Sequence, residues 1–377
     1  MRHICYISGT RADFGLMRRT LQAVHEAGDL RLSVVATGMH LDERYGRTVR
    51  DIEVAGLPIA AFIPVDSDGV STGRTMARNI SYMLAGMVDA FERVRPDLVL
   101  LLGDRGEMLA GAIAALHLNI PIAHVHGGER SGTVDESVRH AISKLSHFHF
   151  VATEQSRERL VRMGEVSEQV FVTGAPGLDG VVQDANVNRS DLLARQRFDA
   201  SRPVVVFVFH PVVQEAAEGG AVATLLLDRL LKKGCQILAL SPNSDAGSAE
   251  VRAALDRQGA HADVRIITHM ARNEFLSWLA AADVMVGNSS SGIIEAASFG
   301  LPVVNVGSRQ YLRERNRNIF DVEPHAQAVD AVVAQVLRLG RLPRHNVYGD
   351  GQAAQRIVTL LRTISLDASI LVKANAY

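Results

Sequence analysis

Short apolar runs rich in Val, Ile and Phe, each closing on Gly, Ser, Thr or His, recur along the chain with longer amphipathic stretches between them. This rhythm predicts βα units and parallel sheets, because a strand covered on both faces reads as a continuous apolar run rather than an alternating one. In the first half the predicted strands are ICYIS, LSVVAT, AAFIPV, DLVLLLG, PIAHVHG, FHFVAT and QVFVTG. In the second they are VVVFVFH, QILALS, VRIITH, DVMVGN and PVVNVG. Between the two sets, GLDGVVQDANVNRSDLLARQRFDASRP breaks the apolar pattern with Gly, Asp, Asn and Pro and reads as a linker centred near residue 185. The expected fold is α/β with two doubly wound domains, 1–185 and 186–351, and a final helix within 352–377 that packs back on the first. Ligands of such sheets lie beyond the carboxyl ends of the strands, here in a central cleft that the two domains are expected to face.

The length of 377 residues agrees with two domains or slightly more at about 150 residues each. Lys and Arg (40) nearly cancel Asp and Glu (41), so the chain lacks the basic field that nucleic acid or an anionic membrane surface attracts. Any anion must be caught locally. Cys5 and Cys235 sit in apolar strand-like runs without metal-ligand spacing and are expected to be buried thiols in a reducing compartment. The first apolar run is too short for a signal-peptide core, and VVVFVF falls far short of a membrane span, so a soluble cytoplasmic protein is expected.

Several strand ends carry chemistry. The first runs into GTRADFGLMRR, where Gly9 and Gly15 bracket a turn holding Arg11 and Asp13. Amides at a helix start and a guanidinium that grips two oxygens make a phosphate seat, although neither G-x-G-x-x-G nor G-x-x-x-x-G-K-[ST] occurs. DLVLLLGDRGE sets Asp104 and Arg105 past a buried strand, and HVHGGERSGTVDESVRHAISK sets His126, Glu129 and Asp135 past the next, ahead of Arg139 and His140. Three carboxylates from neighbouring strand ends converge on one substrate in this reading, and their crowding is expected to raise some of their pKa values. The plainer reading makes Asp104 and Asp135 helix caps.

In the second half, VVVFVFHPV delivers His210 to a strand end, where it donates to phosphate, shuttles a proton or is simply structural. His124, His147 and His149 alternate along strand-like runs and read as core residues. DVMVGNSSSGIIEAASFG offers Asn288, Ser289, Ser290, Ser291 and Gly292 ahead of a helix bearing Glu295. Small hydroxyls and amides at a helix start suit a diphosphate, and a carboxylate a turn further in suits a ribose. A serine-rich cap is the plainer reading. Arg309, Arg313 and Arg315 are local cations for the same diphosphate or a solvated turn.

These pieces, in this order, resemble the hydrolysing UDP-N-acetylglucosamine 2-epimerases of the sialic-acid pathway and their bacterial relatives acting on 2,4-diacetamido sugars. The resemblance rests on GTRADFG, ATGMHL, LLGDRGEMLA, HGGE with SGTVDESVRHAISKLSHFHF, FHPV, SPNSD, GNSSSGIIE and GSRQ, and covers about the first 315 residues. It implies two Rossmann-like domains of the glycosyltransferase-B type, a UDP-sugar as ligand, no cofactor and no metal, and a homodimer or homotetramer. It implies catalytic roles for Asp104, Glu129, Asp135 and His210, and places Arg11, Asn243, Ser289, Ser290, Ser291, Glu295 and Arg313 around UDP. Asp13, Arg105 and Gly292 join the substrate-binding set on their positions in the same motifs. Leu312 stands where the family's RQxGR pattern carries glycine. The implied reaction is loss of UDP to a glycal-like intermediate followed by addition of water, with UDP-N-acetylglucosamine giving free N-acetylmannosamine, or the 2,4-diacetamido-6-deoxy sugar in its place. A UDP-sugar glycosyltransferase, a non-hydrolysing epimerase and a nucleotide-sugar-binding protein are the rival expectations.

Overall fold

A computed structural model of the chain describes residues 1–66, 72–131, 134–211, 218–242, 247–268 and 270–376. It forms two compact units, one comprising Met1–Glu129, Val134–Asp179 and Tyr348–Tyr377, the other Arg130–Thr133 and Gly180–Val347.

The first unit is built on seven strands, β1 (Arg2–Ser8), β2 (Leu30–Thr37), β3 (Ile59–Ile63), β4 (Leu98–Leu102), β5 (Ile122–Val125), β6 (Phe148–Val151) and β7 (Val170–Val172). They pair in parallel in the order β3-β2-β1-β4-β5-β6-β7. Alternate residues of each central strand enter two different cores: Ile4 and Tyr6 pack with the helix Arg11–Glu26, Cys5 and Ile7 with the helices Gly73–Val94 and Gly106–His117. Burial on both faces is why LVLLL, with every residue buried, needs no polar alternation.

The second unit contains β8 (Val204–Val208), β9 (Gln236–Leu240), β10 (Val264–Ile267), β11 (Val284–Gly287), β12 (Val303–Val306) and β13 (Ile319–Val322), all parallel, in the order β10-β9-β8-β11-β12-β13. Both sheets are doubly wound, as expected. The edge strand β13 is not foreshadowed by the apolar pattern: it pairs on one side only, and of IFDV only Val322 is buried.

Each sheet reverses direction once, between β1 and β4 in the first unit and between β8 and β11 in the second. At such a reversal the flanking helices run to opposite faces and leave an open crevice at the strand ends, where a ligand reaches the backbone. The first crevice carries Gly9–Arg11 and Gly103–Arg105, the second His210 and Asn288–Ser291.

The stretch read as a linker is structured. It holds the helices Val181–Asp184 and Arg189–Gln196, and Leu192, Leu193 and Phe198 are buried in the second unit, with Phe198 edge-on to Trp278 at 6.2 Å. Asn188 caps the second of these helices by accepting from the Asp191 amide at 2.9 Å. Two adjacent leucines in a polar setting suffice to bury one side of so short a helix, which is why the average composition misled. The terminal helix Ala353–Thr363 places Ile357, Val358 and Leu361 in one core with Phe14, Met17 and Leu21 of the helix Arg11–Glu26. Asp179 caps it, accepting from the Ala353 and Ala354 amides at 3.0 and 2.5 Å. Cys5 and Cys235 are free and buried, and burial pushes their thiols up to about 12 and about 11. Among the described residues no helix is long and apolar enough to cross a membrane.

Candidate active site

In the first unit the β1 turn is organised by Asp13. Thr10 is the N-cap of the helix Arg11–Glu26, its hydroxyl accepting from the Asp13 amide, while the Asp13 carboxylate accepts from the amides of Gly9 and Thr10 at 3.0 and 2.6 Å. Ser8 also donates to it, and burial pushes its pKa up against these hydrogen bonds. Asp13 was expected among the substrate-binding residues. Its oxygens instead hold the turn, because a T-x-x-D sequence closes a capping box. Behind the turn His40 bridges Ser8 and Thr48, each at 2.9 Å, and burial lowers its pKa to about 4, so the ring is neutral at pH 7. Arg11 opens the helix, partly exposed.

At the end of β4, Asp104 lies beside Arg139, a fully buried guanidinium from the helix Val134–Leu145. Arg139 donates to the Asp104 carboxylate through Nη2 and to the Glu129 carbonyl through Nη1 at 3.0 Å. One cation therefore joins the loops after β4 and β5. Asp104 does not cap the helix Gly106–His117, whose N-cap is Arg105. Arg105 reaches Glu107 at 3.1 Å, and the buried Glu107 packs on the β1 turn: a β-carbon on Gly9 would stand 2.2 Å from its Oε1.

After β5 the chain turns at His126 with φ 63°, a left-handed conformation costly for a non-glycine residue and frequent at functional loops. The His126 ring and the Glu129 carboxylate, both buried, are hydrogen-bonded through Nδ1. Asp135 sits in the first turn of the helix Val134–Leu145, one turn before Arg139. Arg139 thus joins the Asp104 carboxylate to the Glu129 backbone, with Asp135 one turn earlier on its own helix. His124 donates and accepts within the core as a neutral ring, with burial lowering its pKa to about 3. Glu107 and Arg139 were not singled out for the site. Arg139 was readable as a cation one helical turn after Asp135, whereas nothing in the pattern marks Glu107 beyond its place in LLGDRGE.

In the second unit His210 follows β8, and its backbone is clamped by Asn288 at the end of β11: the His210 amide donates to Asn288 Oδ1 at 2.7 Å, and Asn288 Nδ2 donates to the His210 carbonyl at 2.8 Å. The two strand ends approach so closely that a β-carbon on Gly287, at φ 141°, would stand 2.0 Å from the Val208 oxygen. Ser289 caps the short helix Ser290–Ile294, accepting from the Ser291 amide at 3.3 Å, with Ser291 Oγ 2.8 Å from its own. Ser289, Ser290 and Ser291 are partly exposed and Gly292 is buried. The GSRQ turn folds onto this loop, Arg309 and Gln310 both donating to the Asn288 carbonyl at 3.2 and 3.0 Å. Arg313 continues it with an amide bond to Gln310 at 3.1 Å. Glu295 is buried against Arg272, so in this structure its carboxylate is held by a protein cation. Arg315, offered above as a diphosphate cation, is held by Asp321 at 2.9 Å. Asn243 lies outside the described residues.

The sequence profile of the family described as UDP-N-acetylglucosamine 2-epimerase matches residues 22–362. The UDP-N,N'-diacetylbacillosamine 2-epimerase (hydrolyzing) of Legionella pneumophila is 50% identical over 377 residues, spanning 100% of both chains. The UDP-N-acetylglucosamine 2-epimerase of Neisseria meningitidis serogroup B is 33% identical over 357 residues, 93% of this chain and 92% of its own. Among solved structures, the S. aureus MnaA–UDP co-structure superposes with a TM-score of 0.82 at 21% identity, covering 96% of each chain, which establishes a shared fold. With its two doubly wound sheets, a profile match over residues 22–362 and a full-length relative at 50% identity, this chain belongs to the UDP-N-acetylglucosamine 2-epimerase family.

Proposed function

We propose that the protein is a hydrolysing 2-epimerase that converts UDP-N,N'-diacetylbacillosamine, a UDP-2,4-diacetamido-6-deoxy sugar, to the free 2-epimer and UDP. One observation carries the choice of sugar: the full-length identity of 50% to a relative named for that reaction, against 33% to one named for UDP-N-acetylglucosamine. The motifs in the sequence do not mark the residues that touch C4 and C6, so they leave this choice open.

The chemistry follows from the substrate. The C2 hydrogen of such a sugar is not next to a carbonyl, so a carboxylate cannot simply remove it. Cleavage of the C1–O bond, with its electron pair leaving on UDP, builds oxocarbenium character beside C2 and acidifies that hydrogen. A carboxylate takes the C2 proton and a C1–C2 double bond forms. Water then adds at C1 while an acid returns a proton to the opposite face of C2. Asp104, Glu129 and Asp135 are the proton-transfer set, treated as a unit because closely placed carboxylates titrate together. The start of the helix Arg11–Glu26, with Arg11 and Arg105 as cations beside the β1 turn, is where a phosphate would be held. His210 assists departure of the diphosphate, and Ser289, Ser290, Ser291, Gly292, Glu295, Arg313 and Asn243 bind the UDP moiety.

Incubation with each of the two UDP-sugars, with products followed by NMR, tests the reading. Turnover of the diacetamido sugar at least tenfold faster than UDP-N-acetylglucosamine is expected. Preference for UDP-N-acetylglucosamine overturns the choice of sugar, and transfer only in the presence of an acceptor sugar overturns the reaction.

A further inference from the structure

In the first unit, at the far end of the helix Val134–Leu145 from Asp135, a buried carboxylate gathers hydrogen-bond donors from three separate segments. Glu165, almost fully buried, lies 2.9 Å from His149 Nε2 on β6, 2.7 Å from Lys144 Nζ on the helix Val134–Leu145, and 2.6 Å from Lys373 Nζ on the C-terminal tail. Burial alone would raise the Glu165 pKa, but the hydrogen bonds from His149, Lys144 and Lys373 outweigh it and hold the carboxyl down at about 2. A carboxylate only accepts, so His149 donates through Nε2, while its buried Nδ1 has no partner among the described residues.

Lys373 does more than neutralise Glu165. Its ammonium also donates to the carbonyls of Ser143, at 3.0 Å, and Ser146, the last carbonyls of the helix Val134–Leu145 and its exit. A cation there satisfies orphan acceptors and meets the negative end of the helix dipole. The tail is fastened just beyond Lys373 as well: Lys144 donates to Asn375 at 2.7 Å, and the Ala376 amide donates to the Gly164 carbonyl at 2.9 Å.

The same helix leads back to the site. Ser143 Oγ lies 3.0 Å from His124 Nδ1, and His124 Nε2 lies 2.7 Å from the carbonyl of Gly103, the residue before Asp104. Burial keeps His124 neutral, and a carbonyl can only accept, so Nε2 carries the proton and Nδ1 accepts from Ser143. Four residues towards the N-terminus from Ser143, Arg139 holds Asp104, and one turn further sits Asp135. The Lys373 side chain is thus one hydrogen bond, and the Gly103 peptide two, from the same serine.

We propose that Lys373 is a positioning residue: by pinning the C-terminal end of the helix Val134–Leu145 to Glu165, the tail sets the placement of Arg139, Asp135 and the Gly103–Asp104 peptide. The inference rests on the hydrolysing 2-epimerase reading, and the experiment separates the two. Wild-type turnover with product identification tests that reading alone. The variants K373M and K373R, and a chain ending at Val372, are then compared with wild type for kcat, KM and melting temperature. The expected result is a kcat lower by about tenfold in K373M and in the shortened chain, a KM within twofold of wild type, and partial recovery in K373R. The assay is run well below the melting temperature of every variant, so that lost folding is not read as lost turnover. If K373M or the shortened chain does not fold, K373R alone decides by its kcat. Wild-type kcat in the folded variants, with only the melting temperature lowered, overturns the proposal, as does a loss confined to KM.

Discussion

Arg139 donates one arm of its guanidinium to the Asp104 carboxylate and the other to the Glu129 carbonyl, so a single buried cation fixes the strand-end loops that carry two of the proposed proton-transfer groups. A planar fork can do this because its two amino groups diverge at a fixed angle, whereas a lysine offers one point of attachment. R139K is therefore expected to retain charge and lose turnover, by about a hundredfold, with stability lowered less than in R139M. For R139M, which leaves Asp104 without its cation, a loss of roughly 3 kcal/mol is expected by chemical denaturation. Wild-type kcat in R139K would show that the fork is dispensable.

Asp104→Asn keeps the size of the side chain and removes its ability to take a proton. Turnover should fall by about a thousandfold while UDP affinity, measured by calorimetry, stays within a few-fold of wild type. Near-normal turnover removes Asp104 from the mechanism.

The close approach of β8 and β11 makes a prediction for stability and UDP binding together. Gly287→Ala places a methyl group 2.0 Å from a backbone oxygen at φ 141°, and neither strand end can retreat without breaking the Asn288 clamp on His210. A destabilisation of about 3 kcal/mol or more is expected, with loss of UDP binding. A Tm within two degrees of wild type would contradict it.

His40 and His124 supply a pH dependence with a definite sign. Burial lowers their pKa to about 4 and about 3, below the ordinary value of 6.5, so the unfolded chain binds protons that the folded chain refuses. Their stability contribution is complete above pH 6.5 and is lost as the pH falls from there towards those values. Between pH 6.5 and 5 the loss is about 2 kcal/mol for each ring. In H40Q, whose amide cannot titrate, the slope of unfolding free energy against pH over that interval should be shallower by one proton, read from urea curves. An unchanged slope would contradict the assignment.

The sequence was most legible where one physical cause acted alone. Runs such as LVLLL and VVVFV follow from burial on both faces, and the residues just past them, Asp104 and His210, occupy the positions a doubly wound sheet exposes. The edge strand IFDV escaped because it is only four residues long and carries an exposed Asp321 in the middle of its apolar run. Asp13 is a case where one motif served two readings: the T-x-x-D box that caps the helix sits inside the turn that resembles a phosphate seat, and only the hydrogen bonds show the carboxylate turned inwards. Arg139 and Glu295 needed partners from elsewhere in the fold. Asp104 lies thirty-five residues before Arg139, and Arg272 twenty-three before Glu295, separations at which no periodicity signals contact. His149 was read as a core residue, and it is buried, but its partner Glu165 arrives from a loop and brings the C-terminal tail with it.

The account turns on removal and replacement of the C2 proton by protein carboxylates as UDP departs. Carrying the reaction out in D2O with UDP-N,N'-diacetylbacillosamine and recording the proton spectrum of the products reads this directly. The predicted product is the free 2-epimer with deuterium at C2, formed in step with UDP. A free sugar that keeps its original hydrogen at C2, or an epimer still joined to UDP, would contradict it.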